Sequence, residues 1–127
     1  MDTRSKILTP KAARTLAGPL TVVTGYFDVL RAEHARELAA IRDRSGGQPL
    51  LALVLPFAGE VLGMQARARM VAALRVVDYV VAADELNADA LLEAMRPRTV
   101  IHLEADDARR NREIAELVRR RNTQGGP

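Results

Sequence analysis

The chain has 127 residues, 48% of them hydrophobic and 28% charged, which fits one domain with enough apolar material for a core. It has no cysteine, so disulfides, a thiol nucleophile and cysteine-ligated metal sites are excluded. With no apolar stretch of membrane-spanning length and no signal-peptide pattern, the sequence predicts a cytoplasmic protein with no membrane contact.

The net charge of +3 is unevenly distributed. Residues 1–20 carry four bases and one acid, residues 21–106 carry nine bases and twelve acids, and residues 107–127 carry six bases and three acids. The positive excess therefore lies at the two ends, and only four aromatic residues are available for base stacking. We expect no nucleic-acid partner. Heavy use of arginine and alanine suggests a GC-rich bacterial genome.

Strands and helices are predicted to alternate along the chain. A first helix over about 9–17 begins with Thr9 as N-cap and Pro10 as the first helical residue. The predicted strands cover about 21–24, 50–55, 76–81 and 99–103, and the helices after them cover about 32–44, 64–75, 87–95 and 106–122. Asn87 is the expected N-cap of the helix over 87–95. This alternation predicts one α/β domain over 1–127, with a core over about 20–122 and a tail over 123–127. The fold class is a doubly wound parallel sheet of Rossmann-like type with three αβα layers.

The loop after the first long strand, Gly25–Leu30, is the expected ligand position. In such sheets ligands bind beyond the carboxyl ends of the strands where the strand order reverses, and the first strand usually lies beside that point. Gly25 allows close backbone approach, the next helix presents its N-terminal N–H groups, and His34 lies in its first turn. The alternative is a strand–glycine–helix turn that binds nothing, with His34 a surface or packing residue. No Walker-type loop and no G-x-G-x-x-G pattern is present.

Three segments together resemble a known family. The segment Gly25-Tyr-Phe-Asp-Val-Leu30-x-x-x-His34 resembles the G-x-F-D-x-x-H-x-G-H signature of the cytidylyltransferase-like nucleotidyltransferase superfamily. It is most similar to heptose-phosphate adenylyltransferase and glycerol-3-phosphate cytidylyltransferase domains. Two later segments resemble the family's following regions. One is the arginine-led helix from Arg67 that runs into the strand Val-Asp78-Tyr-Val, and the other is the leucine-rich helix from Leu91 that is followed by Arg96-Pro97. The resemblance covers about 20–103.

The resemblance implies transfer of a nucleotidyl group from a nucleoside triphosphate, accompanied by Mg²⁺, to a sugar- or alcohol-phosphate. It assigns no residue to a metal. The residues that it assigns are His34 and Arg31 as catalytic, and Gly25, Tyr26, Phe27, Asp28 and Arg67 as nucleotide- or phosphate-binding.

The sequence departs from the family pattern at several positions. Arg31 replaces the first motif histidine, and Glu33 replaces the motif glycine against which the nucleotide would lie. A carboxylate about 4 Å from a phosphate charge costs roughly 4 kcal/mol at an effective dielectric near 20. The Lys-Gly-Asp-like turn expected after the strand over 99–103 reads His102-Leu-Glu104-Ala-Asp106, and the later I-S-x-T-R segment has no counterpart.

Three functions therefore stay open. The chain is an active nucleotidyltransferase, a degenerate relative that binds a nucleotide or phosphometabolite without turnover, or a scaffold or interaction subunit. In the last case, the apolar residues of the predicted helix over 106–122 would either form a homodimer interface or pack on the sheet.

Other polar residues favour structural interpretations. His102 and Glu104 lie two residues apart on a strand, so they share a face and are expected to pair. Asp84 and Glu85 are expected in a solvated loop. Asp78 is expected to cap or pair locally.

Overall fold

The computed structural model describes residues 3–27, 32–56 and 63–105, apart from the side chains of 32, 33 and 85. Its strands are β1 (Ile7–Leu8), β2 (Thr21–Gly25), β3 (Leu50–Val54), β4 (Tyr79–Ala82) and β5 (Thr99–His102), and its helices are α1 (Pro10–Ala13), α2 (Ala32–Arg44), α3 (Met64–Ala72) and α4 (Glu85–Met95). The predicted helix over 106–122 lies outside the described residues, as do Asp28 and Arg31.

The five strands form one parallel sheet in the order β1-β4-β3-β2-β5. β2 and β3 are apolar or β-branched along their length and fully buried, as expected for central strands covered on both faces. The predicted fold class, a doubly wound α/β sheet, is confirmed.

Two hydrophobic cores lie on opposite faces of the sheet. Because neighbouring residues of a strand point to opposite faces, Val22 and Val23 belong to different cores. The core with Val23 is completed by α2 and α3, which contribute residues such as Leu38 and Val71. The core with Val22 is completed by α1 and α4, which contribute residues such as Leu91. The domain therefore has the three predicted layers.

The element boundaries agree with the sequence prediction in part. α2 has the predicted bounds, and Thr9 caps α1 by accepting a hydrogen bond from the N–H of Ala12 at 3.1 Å. α1 is shorter than predicted and ends at Ala13. The edge strand β1 was not predicted, because two residues are too few to show a period.

The start of α4 was also predicted wrongly. Asp84, not Asn87, is the N-cap, and its carboxylate accepts the N–H of Asn87 at 2.8 Å. The aspartate expected to be merely solvated therefore fixes the first turn of this helix.

Asp78 was expected to cap or pair locally, but its partners are residues of β3 and α2. Its carboxylate accepts the N–H of Leu50 at 2.8 Å and lies 3.3 Å from the guanidinium of Arg42. It thereby fixes the start of β3 against α2 and β4.

None of the helices in 3–27, 32–56 and 63–105 combines the length and apolarity needed to cross a bilayer.

Candidate functional site

The strand order reverses between β2 and β5. From β2 the chain adds β3 and then β4 on one side, and it returns to place β5 on the other side of β2. In open α/β sheets, ligands bind in the crevice beyond the carboxyl ends of the strands at such a reversal of strand order. The fold thus puts its natural ligand position between the ends of these two strands.

A cavity of about 270 Å³ lies at this position. Its lining comes from the ends of β2 and β5, the residue after β3, and the middle of α4. It consists of Thr24, Tyr26, Leu55, Ala88, Asp89, Leu92, His102 and Glu104. The cavity therefore opens on the face of the sheet that carries α4.

Three polar side chains form one cluster in this cavity. The hydroxyl of Thr24 lies 2.7 Å from Nδ1 of His102 and donates to Oε1 of Glu104. Nδ1 of His102 lies 3.5 Å from the other oxygen of Glu104. The predicted pairing of His102 with Glu104 is confirmed, whereas the part played by Thr24 was missed.

The sheet register explains why the cluster forms. Thr24 of β2 is the Cα partner of His102 of β5, so their side chains emerge side by side on the same face. The N–H of Leu103 continues the ladder by donating to the carbonyl of Thr24 at 2.8 Å. Leu103 then turns into the core on the opposite face, which leaves Glu104 on the face of His102.

The charge of the cavity disfavours an anion inside it. Among the described residues that line it are the acids Asp89 and Glu104 and no arginine or lysine. The side chains of His102 and Glu104 are 61% and 27% exposed, so a ligand can reach them. A phosphate group placed in contact with these carboxylates would meet a repulsion of roughly 4 kcal/mol per charge pair at 4 Å.

The sequence predicts phosphate binding at a corner of the sheet formed by Gly25, Phe27 and Arg67. This phosphate corner lies on the other side of the same sheet edge, toward α2 and α3. Gly25 ends β2, and its carbonyl accepts the N–H of Leu55 at 2.9 Å. Phe27 follows with a left-handed backbone, φ 50°, and a fully buried ring in the core with α2 and α3. Tyr26, between them, lines the cavity on the α4 side.

Arg67 is fully buried at this corner, with 0% of its surface exposed. Its guanidinium Nη1 donates to the carbonyl of Tyr26 at 2.7 Å and to the carbonyl of Leu55 at 2.8 Å. One nitrogen therefore ties the chain leaving β2 to the chain leaving β3. Its assignment as a phosphate ligand stays a prediction.

His34 lies on α2 with 2% of its surface exposed. Its imidazole is therefore covered, and it is not among the side chains that line the cavity. The side chain of Glu33 is outside the described residues, so the effect of this substitution on the corner also stays a prediction. The structure thus joins Arg67 to Tyr26 and buries His34 and Phe27.

Comparison with known proteins adds evidence on the fold. No protein-family model matches the chain, and no curated protein matches it. A solved structure that is similar is the lipopolysaccharide core biosynthesis protein from Thermoplasma volcanium GSS1, with a TM-score of 0.57 and 19% sequence identity. The likeness covers 65% of this chain and 71% of that one. What the two share is the fold.

The sequence carries only a weak signal that Thr24, His102 and Glu104 belong to a ligand site. Thr24 is a polar residue near the carboxyl end of β2, His102 is the last residue of β5, and Glu104 follows that strand. Their significance depends on β2 and β5 being neighbours, which the sequence pattern does not show.

Proposed function

We propose that this chain binds a nucleotide or a sugar- or alcohol-phosphate at the cavity between the ends of β2 and β5, as a nucleotidyltransferase-like domain. The observation that carries the proposal is the position of the Thr24–His102–Glu104 cluster in a cavity at the reversal of strand order. The resemblance of residues 20–103 to nucleotidyltransferases supports it. So does the fold shared with a lipopolysaccharide core biosynthesis protein.

The charge of the site indicates which part of the ligand would occupy the cavity. The two carboxylates of the cavity favour the uncharged part of the ligand there. The phosphates would then lie toward the start of α2, which follows β2 and offers the positive end of a 13-residue helix. Arg31 and His34, which the resemblance assigns as catalytic, belong to the same segment.

Nucleotidyl transfer is the further activity that the resemblance adds. In it, a phosphate of the acceptor would attack the α-phosphate of the triphosphate, and pyrophosphate would leave. Within 3–27, 32–56 and 63–105, no group of three or more histidine, aspartate or glutamate residues could hold a metal ion. Mg²⁺ that arrives on a triphosphate is held largely by phosphate oxygens and water, so it needs few protein ligands.

Thermal shift with a panel of nucleoside triphosphates plus Mg²⁺ and of sugar phosphates tests the proposal. A ligand at 100 times its Kd stabilises a protein by about 2.7 kcal/mol, which corresponds to roughly 10 °C in Tm for a chain of this size. We expect His102→Ala to reduce that shift. Thr99→Ala, at the opposite end of the same strand, is the matched control and should leave it unchanged.

The outcomes separate the open functions. No stabilisation by any of these compounds at millimolar concentration would refute ligand binding and favour the scaffold. Stabilisation without pyrophosphate release, when triphosphates and sugar phosphates are combined, identifies a binding protein that does not turn over. Pyrophosphate release identifies an active transferase.

A further inference from the structure

We infer that the cavity recognises vicinal hydroxyls of a sugar through hydrogen-bond acceptors. The main acceptor is Nε2 of His102. This inference rests on the proposed function, because it takes the cavity as the ligand site. It adds the chemical group that the cavity selects and the residues that set this preference.

The cluster fixes which nitrogen of His102 carries the proton. The Thr24 hydroxyl has one hydrogen, which it donates to the carboxylate of Glu104. Its oxygen lies 2.7 Å from Nδ1 of His102, so this contact is a hydrogen bond only if Nδ1 carries a proton to donate. The second oxygen of Glu104, 3.5 Å from Nδ1, favours the same arrangement. The neutral ring therefore keeps its lone pair on Nε2.

Three of the described side chains that line the cavity consequently offer acceptors to a ligand, whereas Tyr26, which also lines it, carries a hydroxyl that can donate or accept. Nε2 of His102 accepts, and the carboxylates of Glu104 and Asp89 accept only. The hydroxyl proton of Thr24 is already used within the cluster. Hydroxyl groups supply the matching donors, and acceptors that lie side by side suit adjacent hydroxyls. In dinucleotide-binding sheets a carboxylate accepts a hydrogen bond from a ribose hydroxyl. A phosphate, which offers acceptors and negative charge, does not fit.

Solution NMR of the ¹⁵N-labelled full chain tests the proton position directly. The chain has two histidines, and His102→Gln assigns the signals of His102 by their loss. At a pH at which the imidazole is neutral, we expect the Nδ1–H tautomer of His102 in the wild type and in Thr24→Ser, which retains the hydroxyl. Thr24→Val, which removes the hydroxyl at similar volume, should lose that preference. A wild-type His102 in the Nε2–H form would overturn the inference.

The ligand preference is tested in the same spectra. The probes are ribonucleosides and methyl hexopyranosides, each with a counterpart lacking the vicinal hydroxyls, and inorganic phosphate. We expect at least one of the two sugar classes to shift the His102 Nε2 signal, and which class does so identifies the source of the hydroxyls. Its deoxygenated counterpart should bind at least tenfold more weakly, and inorganic phosphate should leave the signal unchanged.

Failure of the inference is distinguishable from failure of the proposed function. If triphosphates or sugar phosphates stabilise the protein but no hydroxyl-bearing probe moves the His102 signal, the inference is wrong and the proposed function stands. If the deoxygenated counterparts bind as tightly as the sugars with vicinal hydroxyls, the inference is likewise wrong and the proposed function stands. If none of the phosphorylated compounds stabilises the protein, the proposed function fails on its own test.

Discussion

Replacing Arg67 by methionine tests whether this arginine holds the carboxyl edge of the sheet together. Methionine keeps an unbranched apolar stem in the buried position but cannot donate to the carbonyls of Tyr26 and Leu55. Both carbonyls belong to segments that line the cavity. The variant therefore probes the support of the site, independently of any ligand.

The expected loss of stability follows from the two hydrogen bonds. A hydrogen bond to a charged group contributes about 1.5–3 kcal/mol. Part of the loss is offset because a buried guanidinium no longer has to be desolvated. We expect the free energy of unfolding to fall by about 3 kcal/mol, which corresponds to roughly 10 °C in Tm. Urea denaturation followed by far-ultraviolet circular dichroism measures it.

Arg69→Met is the matched control, because it makes the same substitution on α3 at an exposed position. Exposed substitutions usually change stability by less than about 0.5 kcal/mol. If the two variants unfold at the same urea concentration, Arg67 does not clamp the strand ends. Loss of ligand-induced stabilisation with unchanged folding would instead support its assignment as a phosphate ligand.

Three further substitutions have defined expectations. Asp84→Ala removes the N-cap of α4 and should cost about 1 kcal/mol in urea denaturation, whereas Glu93→Ala on the exposed face of that helix should cost little. Asp78→Ala removes the acceptor that fixes the start of β3 and should cost about 2 kcal/mol, and equal stability of the exposed control Asp43→Ala would contradict this. Thr24→Val should fold normally yet reduce any ligand-induced shift in Tm, and an unchanged shift would place the ligand elsewhere.

Much of the fold follows from local patterns in the sequence. The continuous apolar run at Leu50–Val54 has the length and flanking prolines of a buried strand, and α2 combines periodic apolar residues with glycines just after its end. β1 was missed because two residues carry no period. Asp84 was missed as a cap because two residues near the start of α4, Asp84 and Asn87, have suitable side chains, and only the backbone conformation selects between them.

The candidate site could be predicted only in outline. The alternation of strands and helices was enough to expect a ligand position beside the strand that ends at Gly25. Which strand borders it on the other side depends on long-range topology, so the contact between Thr24 and His102, 78 residues apart, could not be predicted. The bonds from Arg67 to carbonyls 12 and 41 residues away are equally non-local. A sequence resemblance alone therefore pointed to a ligand contact for this arginine.

Mapping amide chemical shifts during titration with the best stabilising compound of the panel tests the central claim most directly. If the ligand binds between β2 and β5, the largest shifts should fall on the backbone around Thr24, on the middle of α4, and at His102 and Glu104. The contradicting result is a set of largest shifts at the amino edge of the sheet, where Arg44 and Arg98 line a separate cleft.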